Sequence, residues 1–371
     1  MTGRSNSSPS PPPSWAEPAP IPRRNCMASK SVSIGAAGLA AAVALAAGVV
    51  GGRLSASGST SGSSGDSAGA STISGTKIDV IVKATESEFW QSMLAGSKKA
   101  GADLGVNLTL FGPTAEADIE PQVRLVEDSI SRGAKAIVLA PNSSTALNGV
   151  IDRARAAGIK VIIVDNAVKT KSDGFIGTDN VKAGEQAGRR LCQLMTDAGK
   201  ANGKVLHESA VSGIQVLIDR FDGFKQGLSE KCPQAQIVQT LVNDNDLNKA
   251  VGQVNDALTR VPDLAGIFAD NNTSGVGAAK AVQEKGAGDK VAVVAFDSDP
   301  AEVDAVKSGA IDAIVVQNPF FFGYQGVVEA AMAAVGSDAP QNLDPGAVIV
   351  DQTNVNADEL KALLNPPKVK G

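Results

Sequence analysis

From Lys77 onward the chain alternates between short runs of consecutive apolar residues and longer stretches in which apolar residues recur every three or four positions. The runs are "KIDVIVK", "VNLTLFG", "KAIVLAP", "IKVIIVD", "GKVLHES", "QIVQTLV", "LAGIFAD", "KVAVVAF" and "DAIVVQ". Between them lie stretches such as "FWQSMLAGSKKAGADL", "PQVRLVEDSISRG" and "TALNGVIDRARAAG", whose spacing predicts amphipathic helices. Continuous apolar strands alternating with helices predict an α/β protein with parallel sheets covered on both faces. One set of strand–helix units runs to "DNAVKTKSDGFIGTDN" and a second starts at "GKVLHES", which predicts two similar lobes with a crossing between them.

The residues before this pattern cannot build a core. Residues 1–30 read as a disordered leader, rich in Ser and Pro ("SNSSPSPPPSWAEPAPIP") and closing on Arg23, Arg24 and Lys30. Residues 31–52, "SVSIGAAGLAAAVALAAGVVGG", carry no charge and read as an export signal or as an uncleaved membrane anchor with its positive end inside. Residues 53–75 are a Ser/Gly linker. Cys26 would leave with a cleaved signal. Cys192 and Cys232 then remain as a pair, either bridged, as an exported chain permits, or as two buried thiols. With His207 the only histidine, no metal-ligand spacing is present, and no cofactor is expected.

Charge and composition narrow the chemistry. A net charge of −5 gives no basic face for nucleic acid. Open α/β sheets bind ligands beyond the carboxyl ends of their strands. The polar residues there are Lys83 to Trp90, Asn142, Asp165–Asn166, Asn271–Asn272, Asp297 and Gln317. Amides and carboxylates dominate this set, which suits holding hydroxyl groups better than moving protons. The adjacent Phe89 and Trp90 stand out in a chain with 4% aromatic residues. A sugar has apolar C–H faces and a belt of hydroxyls, so aromatic planes beside planar hydrogen-bonding groups match it. "GVGAAKA" lacks the third spaced glycine of a dinucleotide loop, and no nucleophile–base pair is evident, so an enzyme is not expected.

Several fragments, in order, resemble the periplasmic sugar-binding proteins of ABC importers, of the ribose- and galactose-binding type. They are "SEFWQSMLAGSKKAGADLG", "IVLAPNSSTALNGVIDRARAAGIKVIIVDNAV", "GTDNVKAGEQAGRRL", "DRFDGFKQGL", "IFADNNTSGVGAAKAVQEKG" and "VVAFDSDPAEVDAVKSGAIDAIVVQNPFFFG", spanning about Thr76 to Asn356. The resemblance implies the type I periplasmic binding protein fold: two Rossmann-like lobes with parallel sheets, joined by three hinge crossings. The expected crossings lie near "FIGTDN", Gln317–Asn318 and "GAVIVDQ". The first lobe is expected over residues 76–178 plus 318–345 and the second over 179–317 plus 346–371. Also implied are a sugar or polyol in the cleft, a membrane permease as partner, a monomer, and a periplasmic or extracytoplasmic location.

Carried over position by position, Phe89 and Trp90 match the aromatic pair against the sugar ring. Asp165 matches a hydroxyl acceptor, Arg220 a donor from the second lobe, and Asn271, Asp297 and Gln317 its remaining polar contacts. The chain departs from the ribose binders at Asn166 (for arginine), Asn245 (for an aromatic) and Glu88 (for proline), and Lys83 and Glu86 add charge. The residues alone leave other roles open. Phe89 or Trp90 could be core, Asp165 and Asp297 helix caps, and Arg220 a partner of Asp222 or Glu208. Two other functions share the fold. A lactose-repressor-like regulator would carry a basic helix-turn-helix where this chain has its apolar segment and linker. A receptor subunit of a sensor or chemotaxis system would differ in its membrane partner.

Overall fold

The protein is described by a computed structural model over residues 72–366. The leader, the apolar segment 31–52 and nearly all of the linker lie outside the described residues. The first sheet holds β1 (Lys77–Ile81), β2 (Asn107–Phe111), β3 (Ala136–Leu139), β4 (Lys160–Val164) and β5 (Gly174–Ile176) in the order β2-β1-β3-β4-β5. All are parallel, with Val80 opposite Leu110 on one side and Val138 on the other. Helices α1 (Glu88–Leu104), α2 (Ile119–Ser131) and α3 (Asn148–Ala156) connect them. Every residue of β3 is fully buried, because α1 covers one face of the sheet and α2 and α3 the other.

The second sheet repeats the plan. It contains β6 (Lys204–Ser209), β7 (Gln236–Val242), β8 (Leu264–Ala269), β9 (Ala292–Phe296), β10 (Ala313–Val316) and β11 (Val348–Asp351), ordered β11-β10-β9-β8-β6-β7. Its helices are α4 (Asn180–Asp197), α5 (Gln215–Lys231), α6 (Leu247–Arg260), α7 (Asn272–Glu284) and α8 (Pro300–Ser308). All nine apolar runs are strands. The sequence pattern anticipates parallel pairing throughout, but β11 pairs antiparallel to β10. The reason is topological: β10 runs out toward the crossing, and the chain re-enters the second lobe at that same end.

The chain passes between lobes between β5 and α4, between β10 and α9 (Pro319–Ala334), and before β11. Helix α9 returns to the first lobe, where Phe322, Val327 and Ala330 join the core built by α1. Residues 340–343 then run beside β5, with Leu343 bonded to both Phe175 and Gly177. Helices α4 and α5 pack closely and are linked at one end by a disulfide between Cys192 and Cys232, whose Cα atoms lie 5.8 Å apart. No helix among the described residues is long and apolar enough to cross a membrane.

Candidate ligand-binding cleft

In each sheet the strand order reverses at one place, between β1 and β3 in the first and between β6 and β8 in the second. Lys83 and Asn142 follow β1 and β3; Ala210 and Asn271 follow β6 and β8. These are the crevices where an open α/β sheet accepts a ligand. Each lobe also places an aspartate just past its fourth strand, Asp165 after β4 and Asp297 after β9. Both adopt left-handed backbone, φ 64° and 83°, a conformation that Asp tolerates better than most residues. Neither caps a helix; Asp179 and Asp299 do that for α4 and α8.

Lys83, Phe89, Trp90, Asp165, Arg220, Asn271, Asp297 and Gln317 line one cavity of about 50 Å³ between the lobes. That volume holds only a few waters, so the walls are drawn close together. A larger groove of about 670 Å³ opens beside it and shares Phe89, Asp297 and Gln317. A further cavity of about 880 Å³ lies at the opposite strand ends beside Gly203, Leu264 and Val291, away from both crevices.

The first-lobe wall is an aromatic corner with a buried ion pair. Phe89 and Trp90 meet edge to face at 4.7 Å, and the indole Nε1 donates to Glu116 at 2.7 Å. Lys83 Nζ lies 2.6 Å from Asp165 Oδ2 and 5.4 Å from the Trp90 ring centre, with both charged side chains almost wholly buried. The pair cancels its own charge, so Lys83 is not a free cation awaiting an anion.

In the second lobe, Arg220 is fixed on three sides. Nε donates to Asn180 Oδ1 at 2.9 Å, Nη1 donates to the Asp270 carbonyl at 2.8 Å, and the guanidinium lies 4.3 Å from the Phe296 ring centre. It bonds neither Asp222 nor Glu208. Two of its five N–H groups are used, so three remain for a ligand or for Asp297. Gln317 Nε2 donates to Asp297 Oδ1 at 2.8 Å. Burial pushes the Asp297 carboxyl above its usual range, Arg220 and Gln317 pull it back, and Asp165 pushes it up again. The Gln317 Oε1 is buried and has no partner among the described residues, and the same holds for Oδ1 of Asn142 and of Asn166. Native proteins rarely leave such acceptors unmet.

Three expected residues do not reach the cavity wall. Asn142 and Asn166 sit just behind it, donating to the carbonyls of Lys83 and Pro141. Asn245 is exposed, and its Oδ1 accepts from Asn271 Nδ2 at 2.8 Å. Asn271 itself caps α7 through Ser274 N, so both ends of its amide are already engaged. Glu86 is exposed and stands outside the wall. Conversely, Glu116 and the apolar side chains Val211, Ile214 and Leu217 line the cavity without having been singled out. Val211 and Ile214 lie in the loop after β6 and Leu217 in the first turn of α5, so the strand-end rule points to the loop they belong to or adjoin. Glu116 carries no pattern of its own; only the need of a buried indole N–H for an acceptor hints at it.

Comparison with known proteins identifies the family. Residues 78–338 match the family model of the periplasmic binding protein domain. The ribose import binding protein of Haemophilus influenzae is 30% identical over 254 residues, covering 68% of this chain and 84% of that protein. The D-allose-binding periplasmic protein of Escherichia coli is 28% identical, covering 69% and 84%. A carbohydrate transporter solute-binding protein from Agrobacterium radiobacter, solved with D-arabinose, is 33% identical with a TM-score of 0.76, covering 79% of this chain and 100% of its own. The chain belongs to the periplasmic binding protein family, among the sugar-binding proteins of ABC importers.

Proposed function

We propose that the protein captures a neutral monosaccharide or a related polyol between its lobes and delivers it, as a monomer outside the cytoplasm, to an ABC permease. The observation that carries this reading is the convergence of an aromatic corner, a self-neutralised Lys83–Asp165 pair, Arg220 and Asp297 on one cavity. Aromatic planes suit the C–H faces of a sugar, and Arg, Asp and Gln supply directional donors and acceptors for its hydroxyls. Hydrogen bonds to charged groups contribute about 1.5–3 kcal/mol each. A few of them, with stacking, reach the roughly −8 kcal/mol of a micromolar site after the cost of ordering. The pairing of Lys83 favours a neutral ligand over an acidic sugar. In this reading residues 31–52 direct export, and Cys192–Cys232 forms in the oxidising compartment beyond the membrane.

The test is a melting-temperature screen of pentoses, hexoses, sugar alcohols, inositols and amino acids on protein refolded free of carried-over ligand. At about a thousand times its Kd a ligand should stabilise the fold by roughly 4 kcal/mol. Arg220→Ala and Asp297→Ala should each abolish the shift; each also lowers the ligand-free melting point, because buried partners such as Asn180 and Gln317 lose a hydrogen bond, so the shift is read against each variant's own baseline. A shift given by amino acids alone, or full sugar affinity in both variants, would overturn the assignment.

A further inference from the structure

Two of the three contacts that fix Arg220 come from strand ends of its own sheet, Asp270 after β8 and Phe296 in β9. The third comes from elsewhere. Asn180 is the first residue of α4, directly after the first interlobe crossing, and it is 6% exposed. Its Oδ1 accepts from Arg220 Nε at 2.9 Å while its Nδ2 donates to the Thr178 carbonyl, in the crossing itself, at 3.0 Å. These two partners fix the sense of the amide. Reversed, it would set NH2 against N–H and oxygen against carbonyl.

The same short segment is bonded to the first lobe. Asp165 N donates to Ile176 O at 2.8 Å, and Gly177 N donates to Leu343 O, near the third crossing, at 3.0 Å. Residues 176–180 thus tie Asp165 on one wall of the cleft to Arg220 on the other. Gly177 leaves this path little slack, since a Cβ there would meet the Phe175 ring at 2.6 Å and the Asp165 carbonyl at 3.1 Å.

We propose that Asn180 is a positioning residue: it sets the Arg220 guanidinium for the ligand and couples it to the backbone of the first crossing. The inference deepens the proposed function and rests on Arg220 as a ligand donor. Asn180 does not line the cavity, so its effect on binding passes through Arg220 and the hinge. A side chain that only packed would change stability alone.

Two variants separate the two bonds. Asn180→Ala removes both; Asn180→Asp keeps an acceptor for Arg220 Nε and cannot donate to Thr178 O. In ligand-free protein labelled with 15N-arginine, the exchange of Arg220 Nε–H with water should quicken roughly tenfold in the alanine variant, the equivalent of one lost hydrogen bond, and stay near wild type in the aspartate variant. Amide exchange across residues 177–181 should quicken in both. Calorimetric titration with D-ribose, D-arabinose, D-allose and D-fucose should show the tightest binder weakened about tenfold by Asn180→Ala and less by Asn180→Asp. Unchanged Nε–H exchange in the alanine variant, or equal loss of affinity in both variants, would overturn the proposal. If none of these sugars binds wild-type protein, the ligand assignment fails, and the exchange measurement still decides the role of Asn180. If the alanine variant does not fold, the aspartate variant decides alone: quickened Nε–H exchange or undisturbed amides at 177–181 would count against it.

Discussion

Glu208 is the next-to-last residue of β6, with its carboxyl fully buried. Oε1 accepts from Asn243 Nδ2 at 3.0 Å, and Oε2 has no partner among the described residues. Burial raises this carboxyl from its ordinary 4.5 to about 7; Asp270 adds to the rise, while Asn243 and Lys249 oppose it. Between those values the folded state binds a proton that the unfolded chain has lost. The stability tied to that proton is complete below the ordinary value and is lost as pH rises through about 7. The effect is on the order of 3 kcal/mol. Glu208→Gln keeps the acceptor for Asn243 and removes the titration. Urea midpoints should therefore match wild type near about pH 5 and exceed it near about pH 8.5. A variant that tracks wild type at both would show the carboxyl to be ionised in the fold. Arg220 and Asp297 obey the same local logic, because each is buried only where partners meet it.

Those partners are held by how closely the helices pack. A Cβ added at Gly223 of α5 would lie 1.9 Å from the Val181 carbonyl of α4, and one at Gly184 of α4 would lie 2.0 Å from the Arg220 carbonyl. The first lobe repeats the device, with Gly323 of α9 against the Met93 carbonyl of α1 at 1.8 Å. Gly223→Ala must push α4 and α5 apart, at a cost of about 1–3 kcal/mol. Gly252, exposed on α6 with no atom within 4 Å of the place a methyl would occupy, should instead gain about 0.5–1 kcal/mol on becoming alanine. Chemical denaturation of the two variants checks the contrast, and equal signs would refute it. Most strands were legible because a run buried on both faces is written as consecutive apolar residues; β2 and β7, partly exposed at the sheet edges, kept enough Val, Leu and Ile to be read despite Thr109, Gln239 and Thr240. β5 and β11 were not: three residues, Gly174–Ile176, are too few to carry a pattern, and Val348–Asp351 was read only as a crossing between lobes. Lys83, Asp165, Asp297 and Gln317 were legible because chain direction alone puts them at strand ends. Arg220 was visible only through likeness to a family. Glu116 and Asn180 were hidden, because their roles rest on bonds to residues 26 and 40 positions away.

The two lobes meet over a site in which each supplies a buried aspartate. Closing them removes Asp297 from water, and Asp165 on the opposite wall raises its carboxyl further. Closure without a ligand therefore carries an electrostatic cost, which Arg220 and Gln317 offset only in part. In the proposed function, hydroxyl donors from a sugar would satisfy both carboxylates at once, and the ligand would thereby shift the population toward the closed form. Small-angle scattering should then show a smaller radius of gyration with saturating ligand than without. The charge itself can be tested without any ligand. Asp297→Asn keeps the oxygen that accepts from Gln317 Nε2 and removes the charge. At neutral pH the ligand-free variant should be more compact than ligand-free wild type. Lowering the pH toward the titration of Asp297 should move wild type in the same direction and move the variant less, since in the variant only neighbours such as Asp299, raised by burial to about 6, still titrate. Identical ligand-free profiles for the two proteins across that range would mean that the buried carboxylate does not hold the lobes apart.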